Sequence, residues 1–254
     1  MVLLASVWLS AMAQQAASAA VAPPVHLTAQ PLDANPSSAA RRLLVNAHNA
    51  GDTVPTTLQA VHARAAMVEI DVNWRNSELI AAHTLLPSFV PSEATDLGGS
   101  WAASRRAPAT LLDLKSRSPL GLAAVARLIK ADPGRNTYLS TPSANALDTV
   151  HRAAPRTVAL LSLTNQRQLQ QFLTGRSRVP GLAGVSVNQR LLTRSLVDAL
   201  RDQHLLVQAY TVDQVSRANQ LANWGVTGIT TNSLTIMRAL ADQPPFATVA
   251  DGKA

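Results

Sequence analysis

The sequence predicts an α/β protein built as a (β/α)₈ TIM barrel. From Leu43 onward, short apolar runs alternate with stretches that keep one apolar face at helical spacing. This alternation is typical of parallel strands that are covered by helices. No glycine-rich phosphate loop follows the first apolar run, which favours a closed barrel over an open doubly wound sheet. The 254 residues are enough to bury the core of one such domain.

Nine apolar runs are predicted as strands, one more than a barrel of eight strands requires. These runs are Leu43–His48, Met67–Val72, Leu79–His83, Thr110–Leu114, Thr137–Ser140, Thr157–Leu161, Ala183–Val187, Leu205–Thr211 and Val226–Thr231. The gap between Val72 and Leu79 is too short for a helix, so one of the two strands beside it is expected to be an annex to the barrel. Helices are predicted between most of the other strands, and Gly225 is expected to end the helix that precedes the last strand.

The composition excludes several classes of protein. Hydrophobic residues make up 47% of the chain and charged residues 15%, which excludes intrinsic disorder. The lack of cysteine excludes disulfide scaffolds, thiolate zinc sites and cysteine nucleophiles. The net charge of +7 comes from scattered arginines without interleaved aromatic residues, so we predict no nucleic-acid partner. Association with a membrane surface and the oligomeric state are left open.

The two ends of the chain differ from the barrel in composition. Residues 1–22 form an apolar segment that resembles a secretory signal or a membrane-proximal segment. Residues 23–42, rich in Pro, Ala and Ser, are predicted as a linker; residues 43–241 form the barrel, and residues 242–254 form a tail. We therefore expect a secreted, periplasmic or membrane-associated protein.

Polar residues lie at or near the ends of the first four predicted strands. In chain order they are His48, Glu69, Asp71, His83, Asp113 and Lys115. The carboxyl ends of barrel strands meet at one mouth, where active sites form. Residues two apart on a strand point to the same face, so Glu69 and Asp71 should point together, as should Asp113 and Lys115.

Three converging carboxylates repel one another unless a cation lies between them. Oxygen ligands without cysteine favour Mg²⁺ or Ca²⁺ as that cation. Two nearby histidines provide a general acid and a general base, and a lysine provides a positive charge for an anion. The residues alone therefore predict a metal site with acid–base chemistry at the barrel mouth.

Seven motifs in the same order resemble the glycerophosphodiester phosphodiesterase family. The family pattern runs H-R-G, P-E-N-T-L, E-x-D, H-D, E-x-K, W-T-V-N and G-V-D-G-I-I-T-D. The matching segments are Ala47-His48-Asn49, Val54-Pro55-Thr56-Thr57-Leu58, Glu69-Ile70-Asp71, His83-Thr84, Asp113-Leu114-Lys115, Tyr210-Thr211-Val212-Asp213 and Gly225-Val226-Thr227-Gly228-Ile229-Thr230-Thr231-Asn232. The resemblance extends from Leu43 to Met237.

The resemblance implies a barrel of the phospholipase C-like phosphodiesterase type and a metal-dependent enzyme. Its expected reaction is the hydrolysis of glycerophosphodiesters, which releases glycerol phosphate. His48 and His83 would be the acid–base pair. Glu69, Asp71 and Asp113 would bind the divalent cation, Mg²⁺ or Ca²⁺. The expected partner is a small phosphodiester or a lysolipid substrate.

The resemblance also implies that Lys115 and Asn49 contact the substrate phosphate. Asn49 stands where the family has arginine, so the amide lacks the charge and the paired donors of a guanidinium group. The third metal ligand is Asp113 instead of glutamate. Its D-L-K motif also resembles sphingomyelinase D enzymes, so a phospholipase D-like lipid phosphodiesterase is the alternative activity. A catalytically weak barrel that binds a phosphorylated ligand is the alternative outside the enzymes.

Overall fold

The computed structural model describes residues 43–83, 95–177 and 179–241. The predicted signal-like segment 1–22, linker 23–42 and tail 242–254 lie outside these residues, as does Thr84 of the His83-Thr84 motif. Among the described helices, none is long and apolar enough to cross a membrane.

Eight parallel strands close into a barrel, and two short strands extend it on one side. In chain order the strands are β1 Leu44–Ala47, β2 Met67–Arg75, β3 Glu78–Ala81, β4 Thr95–Asp96, β5 Ala109–Leu114, β6 Thr137–Thr141, β7 Val158–Leu163, β8 Gly184–Asn188, β9 Leu206–Tyr210 and β10 Gly228–Thr231. The barrel runs in the order β1, β10, β9, β8, β7, β6, β5 and β2, and the pairing of β1 with β2 closes it. The predicted (β/α)₈ fold is confirmed.

Helices cover the outside of the barrel between its strands. They are α1 Val54–His62, α2 Leu97–Ser104, α3 Pro119–Lys130, α4 Ala144–Ala153, α5 Gln166–Leu173, α6 Arg194–Asp202, α7 Val215–Trp224 and α8 Leu234–Ala241. Several begin at residues whose side chains accept a hydrogen bond from the first turn, such as Thr53, Ser143 and Thr193. Gly225 ends α7 in the left-handed conformation with φ 89°, as predicted.

The third predicted strand is the annex to the barrel. The strand β2 continues past the predicted end at Val72, turns, and returns as β3, which pairs antiparallel with it. The strand β3 then pairs with the two-residue strand β4. His83 therefore reaches the barrel mouth at the end of a returning hairpin, and not at the end of a barrel strand as the sequence pattern suggested. The amide of Ala82 fixes the return by donating to the carbonyl of Asp71 at 3.0 Å.

The side chains on the inner face of the barrel change from apolar to polar along its strands. At the amino ends, a buried apolar cluster contains Met67, Leu111, Tyr138 and Leu160. Two residues further along the same faces, the side chains are polar: Glu69, Asp113, Ser140 and Ser162. The barrel is therefore filled at one end by an apolar layer, and its polar chemistry lies at the carboxyl ends of the strands.

Candidate active site

The three predicted metal ligands lie together at the barrel mouth. Glu69 and Asp71 share the inner face of β2, and Asp71 is directly paired in register with Asp113 on β5. One carboxylate oxygen from each of the three residues lies within 4.8 Å of the others. Glu69 and Asp71 are buried, and Asp113 is partly buried.

The buried carboxylates perturb one another. Burial raises the pKa of Glu69 well above its ordinary value, and the charges of Asp113 and Asp71 raise it further. The pKa of Asp113 is also raised, mainly by burial, although Lys115 opposes the shift. These directions are those expected when like charges share a site of low dielectric. A divalent cation would relieve this repulsion.

Asp52 is a fourth carboxylate of the site that the sequence patterns did not indicate. It ends the 3₁₀ turn Ala50–Asp52 that follows β1, and its Oδ1 accepts a hydrogen bond from the amide of Asp71 at 2.8 Å. Burial and the charge of Asp71 raise the pKa of Asp52 to about 8. A side chain at Gly51 would place its Cβ 2.7 Å from the carbonyl oxygen of Glu69, so only glycine lets this turn pack against β2.

Lys115 supplies a positive charge to the cluster. Its Nζ lies 2.5 Å from Asp113 Oδ2 and 3.1 Å from Asp71 Oδ1. Burial lowers the pKa of Lys115, but Asp113 and Asp71 outweigh that effect and raise it above its ordinary value. One ammonium group cannot offset the charges of Asp52, Glu69, Asp71 and Asp113 when all four are ionised. The three carboxylates Glu69, Asp71 and Asp113 therefore keep an excess of negative charge, and oxygen donors of this kind fit a hard divalent cation.

The two histidines present their Nε2 atoms for proton transfer. His83 Nδ1 lies 2.6 Å from Asp71 Oδ2, and an ionised carboxylate can only accept, so Nδ1 carries the hydrogen. His48 Nδ1 lies 2.8 Å from the side-chain oxygen of Asn232 and donates to it. The two ring centroids are 6.5 Å apart. Each imidazole is therefore held through Nδ1, which leaves Nε2 free to take or give a proton.

The orientation of the Asn232 amide is fixed by Asp213. Asn232 donates to Asp213 through its side-chain Nδ2 and its backbone amide, each at 2.8 Å. Burial raises the pKa of Asp213, but its hydrogen bonds with Asn232 and Thr231 outweigh that effect and lower the pKa below its usual range. Because the ionised Asp213 accepts from Nδ2, the Asn232 oxygen must face His48. The sequence motifs contained both residues, but only the tertiary structure connects them to the histidine.

Asn49, the predicted phosphate contact, lies beside His83. It adopts the left-handed conformation at φ 53° before the 3₁₀ turn. Its Nδ2 is 3.4 Å from His83 Nδ1, and its Oδ1 is buried without a hydrogen-bond partner among the residues that the structure describes. Lys115 lies on the other side of Asp71. The structure therefore brings all seven predicted site residues to one mouth.

Asn46 is a further residue of the site that the sequence motifs did not indicate. It is fully buried on β1 and donates through Nδ2 to Glu69 Oε2 at 2.5 Å and to Thr230 Oγ1 at 3.1 Å. Asn46 stands two residues before His48, so the rule of alternating faces could have placed it near the mouth. Its bond to Glu69 lowers the pKa of that carboxyl, against the dominant effect of burial.

Residues 112–235 match the model of the Glycerophosphoryl diester phosphodiesterase family. The match covers a little under half of the chain and does not include His48, Glu69, Asp71 or His83. The predicted resemblance is confirmed, and with it the prediction that the protein is an enzyme of the phosphoric diester hydrolase class. The matched segment begins within β5 and includes Asp113, Lys115, Tyr210 and Asn232. Among curated proteins, no sequence matches the chain.

Solved structures with the same fold include several glycerophosphodiester phosphodiesterases. A phosphodiesterase from Oleispira antarctica, in complex with the product sn-glycerol-3-phosphate, has 16% identity and a TM-score of 0.64, with 79% of this chain and 97% of that chain covered. A glycerophosphoryl diester phosphodiesterase from Silicibacter pomeroyi has 16% identity and a TM-score of 0.63, with 80% and 94% covered. A third, from Thermotoga maritima, has 12% identity and a TM-score of 0.60, with 79% and 98% covered. At these identities the likeness establishes the fold.

Proposed function

We propose that this protein is a metal-dependent phosphodiesterase that hydrolyses glycerophosphodiesters to glycerol phosphate and an alcohol. The observation that carries the proposal is the cluster of Glu69, Asp71 and Asp113 within 4.8 Å, flanked by His48 and His83. The bound product of the Oleispira antarctica phosphodiesterase, sn-glycerol-3-phosphate, supports glycerol phosphate as the product here.

Glu69, Asp71 and Asp113 would hold the cation, which is Mg²⁺ or Ca²⁺. When bound, the cation supplies positive charge that neutralises the phosphate oxygens of the substrate. Asn46 holds the Glu69 carboxylate by its hydrogen bond, and the amide of Asp71 is held by Asp52. Residues around metal ligands commonly orient them in this way.

The two histidines would move the protons of the hydrolysis. The histidine that starts neutral accepts a proton at Nε2 from the attacking water or hydroxyl group, whose oxygen forms the new bond to phosphorus. The histidine that starts protonated donates from Nε2 to the oxygen of the leaving alcohol as its bond to phosphorus breaks. Each ring is oriented for this role through Nδ1, by Asn232 in His48 and by Asp71 in His83.

Lys115 and Asn49 would contact the phosphate. Lys115 brings a fixed positive charge beside Asp71 and Asp113, and Asn49 brings a neutral amide beside His83. The amide lacks the charge of the family arginine. The binding of small phosphodiesters should therefore depend strongly on Lys115 and on the cation.

A phospholipase D-like lipid phosphodiesterase of the sphingomyelinase D kind is the second candidate. The Asp113-Leu114-Lys115 motif and the replacement of arginine by Asn49 favour it. The signal-like segment 1–22 supports a secreted, periplasmic or membrane-associated enzyme under either activity. The two candidates differ in their substrates, because a glycerophosphodiester carries no acyl chain whereas lysophosphatidylcholine and sphingomyelin do.

The deciding experiment compares glycerophosphocholine, lysophosphatidylcholine and sphingomyelin as substrates of the full chain. The protein is first treated with EDTA, and Mg²⁺ or Ca²⁺ is then added back. We expect hydrolysis of glycerophosphocholine only with the added cation, and its loss in Asp71→Asn. Asp198→Asn, exposed on α6 and outside the site, is the matched control. Full activity in excess chelator would contradict the metal requirement, and preference for either lipid would favour the second candidate.

A further inference from the structure

Tyr210 enters the barrel mouth from the wall opposite the carboxylates. It is the last residue of β9, and Gln208 two residues earlier points into the barrel, where its Nε2 donates to Thr230 Oγ1 at 2.8 Å. Residues two apart on a strand share a face, so Tyr210 also points inward, one layer closer to the mouth. Around the barrel, β9 is separated from the Asp113 strand β5 by β6, β7 and β8.

The hydroxyl group of Tyr210 has no partner among the described residues. Its oxygen is buried and makes no hydrogen bond with any described group. Burial and the charges of Asp113 and Glu69 raise the pKa of Tyr210, with Lys115 opposing, so the phenol remains a hydrogen-bond donor. A buried hydroxyl without a partner lowers stability, and such groups in folded proteins call for an explanation.

We propose that the Tyr210 hydroxyl donates a hydrogen bond to a non-bridging oxygen of the substrate phosphate. This inference rests on the proposed function, because it assigns the space between Tyr210 and the carboxylate cluster to the phosphate. The carboxylate side would hold the cation, and the Tyr210 hydroxyl on the opposite side would supply a neutral donor. The matching family motif, W-T-V-N, has tryptophan where this chain has Tyr210. Tyrosine therefore replaces the indole N–H donor with a hydroxyl donor, in the same chain that has Asn49 where the family has arginine.

The test compares two substitutions that each remove one buried phenolic hydroxyl. Tyr210→Phe removes the proposed donor and keeps the ring. Tyr138→Phe is the matched control, since Tyr138 is the other tyrosine of the chain and its buried hydroxyl also lacks a partner within the described part of the structure. Tyr138 lies in the apolar layer at the far end of the barrel. Both variants should keep or raise the melting temperature, because each loses an unsatisfied polar group.

The expected result is a loss of phosphate recognition in Tyr210→Phe alone. Binding of inorganic phosphate to the Mg²⁺-loaded protein, measured by calorimetry, should weaken by roughly 10- to 100-fold, the usual value of a hydrogen bond to a charged group. The kcat/KM for glycerophosphocholine should fall by a similar factor, while Tyr138→Phe should retain wild-type values. The loss of phosphate affinity at an unchanged melting temperature is a result that a purely structural role of Tyr210 would not give.

Two outcomes would overturn the inference. Equal phosphate affinity and equal turnover in Tyr210→Phe and the wild type would remove the proposed contact. Equal losses of phosphate affinity and turnover in Tyr210→Phe and Tyr138→Phe would show that the effect comes from a general disturbance of the barrel. If Tyr210→Phe weakens phosphate binding but even the wild type does not hydrolyse glycerophosphocholine, the proposed activity fails while the Tyr210 contact stands.

Discussion

The two walls of the barrel mouth differ in charge. One wall, formed by β1, β2, β5 and the segments that follow them, carries charged and titratable groups: His48, Asp52, Glu69, Asp71, His83, Asp113 and Lys115. The opposite wall, formed by β6 to β9, presents neutral polar groups: Ser140, Ser162, Ser186, Gln208 and Tyr210. The groups proposed for cation binding and proton transfer therefore lie on one side of the mouth, whereas β6 to β9 present neutral hydrogen-bonding side chains on the other side.

Side chains of the neutral wall pair through hydrogen bonds, whereas the charged wall holds several like charges close together. Ser140 and Ser162 bond to each other at 2.6 Å, and Gln208 bonds to Thr230 at 2.8 Å. On the charged side, burial and like charges raise the pKa values of Asp52, Glu69 and Asp113. This contrast indicates that the charged wall is arranged for a ligand, while most of the neutral wall is arranged for the barrel itself.

Substitution of His48 or His83 should give the largest loss of activity. His48→Ala and His83→Ala should each lower kcat for glycerophosphocholine by roughly two to four orders of magnitude, the usual contribution of positioned proton transfer. Ser162→Ala, on the neutral wall, should change kcat only slightly. Steady-state kinetics on metal-saturated protein measures all three, with His62→Ala on α1 as a control for the loss of an imidazole. Wild-type turnover in either site variant would refute the acid–base assignment at that residue.

Substitution of Asn46 should have an intermediate effect, because it should weaken the binding of the cation. Asn46→Val removes the donor to Glu69, so the affinity for Mg²⁺ should fall by roughly 10- to 100-fold, as is usual when a residue that orients a metal ligand is lost. Gln208→Met is the matched control, because Gln208 donates to the same Thr230 hydroxyl and, among the described residues, makes no hydrogen bond with a predicted metal ligand. Calorimetry with Mg²⁺ gives both affinities. Equal affinities in the two variants would mean that Asn46 only fills the core.

The pH dependence of stability should give the smallest effect, a shift in melting temperature. The folded protein keeps a proton on Asp52 up to about pH 8, whereas the unfolded chain loses it near its ordinary value of 3.8. The folded state therefore binds more protons across this window, and the stability of metal-free protein should fall as pH rises from about 4 to about 8. Calorimetric scans at pH 5 and pH 8 measure the difference.

Two further measurements test whether Asp52 causes this pH dependence. Asp52→Asn should make the melting temperature depend less on pH, because it removes the group that titrates in this window. Mg²⁺ should raise the melting temperature more at pH 8 than at pH 5, since the carboxylates that bind it are then more fully ionised. An unchanged pH dependence in Asp52→Asn would show that the shift belongs to other groups.

Periodicity was sufficient to predict the barrel and the faces of its strands. The alternation along β2 and β5 placed Glu69, Asp71 and Asp113 on one inner face, because side-chain direction on a strand depends only on position along it. The direction of β3 could not be predicted in this way, since an antiparallel hairpin and a parallel strand have the same local pattern. His83 therefore lies at the predicted mouth, but it follows an antiparallel hairpin strand instead of a barrel strand.

The residues that were missed act through contacts between distant segments. Asn46 lies inside an apolar run, and its role depends on Glu69 on the neighbouring strand. Asp52 lies in a turn whose position depends on the close approach of Gly51 to β2. Asp213 acts on His48 through Asn232, across strands that are far apart in the chain. Spacing along one segment carries no information about such contacts.

The two histidines of the site are attached to the barrel in different ways, and this affects how the site can change through evolution. His48 follows β1, which is paired on both sides within the closed barrel. His83 follows β3, an arm attached to the barrel along β2 alone and bordered on its other side by the short strand β4. Insertions or deletions at the tip of the arm, Asn76–Ser77, would leave every barrel pairing intact. One of the two proposed catalytic histidines thus follows a strand of the closed barrel and the other follows an arm, so changes in the arm can alter the substrate cleft without altering the barrel.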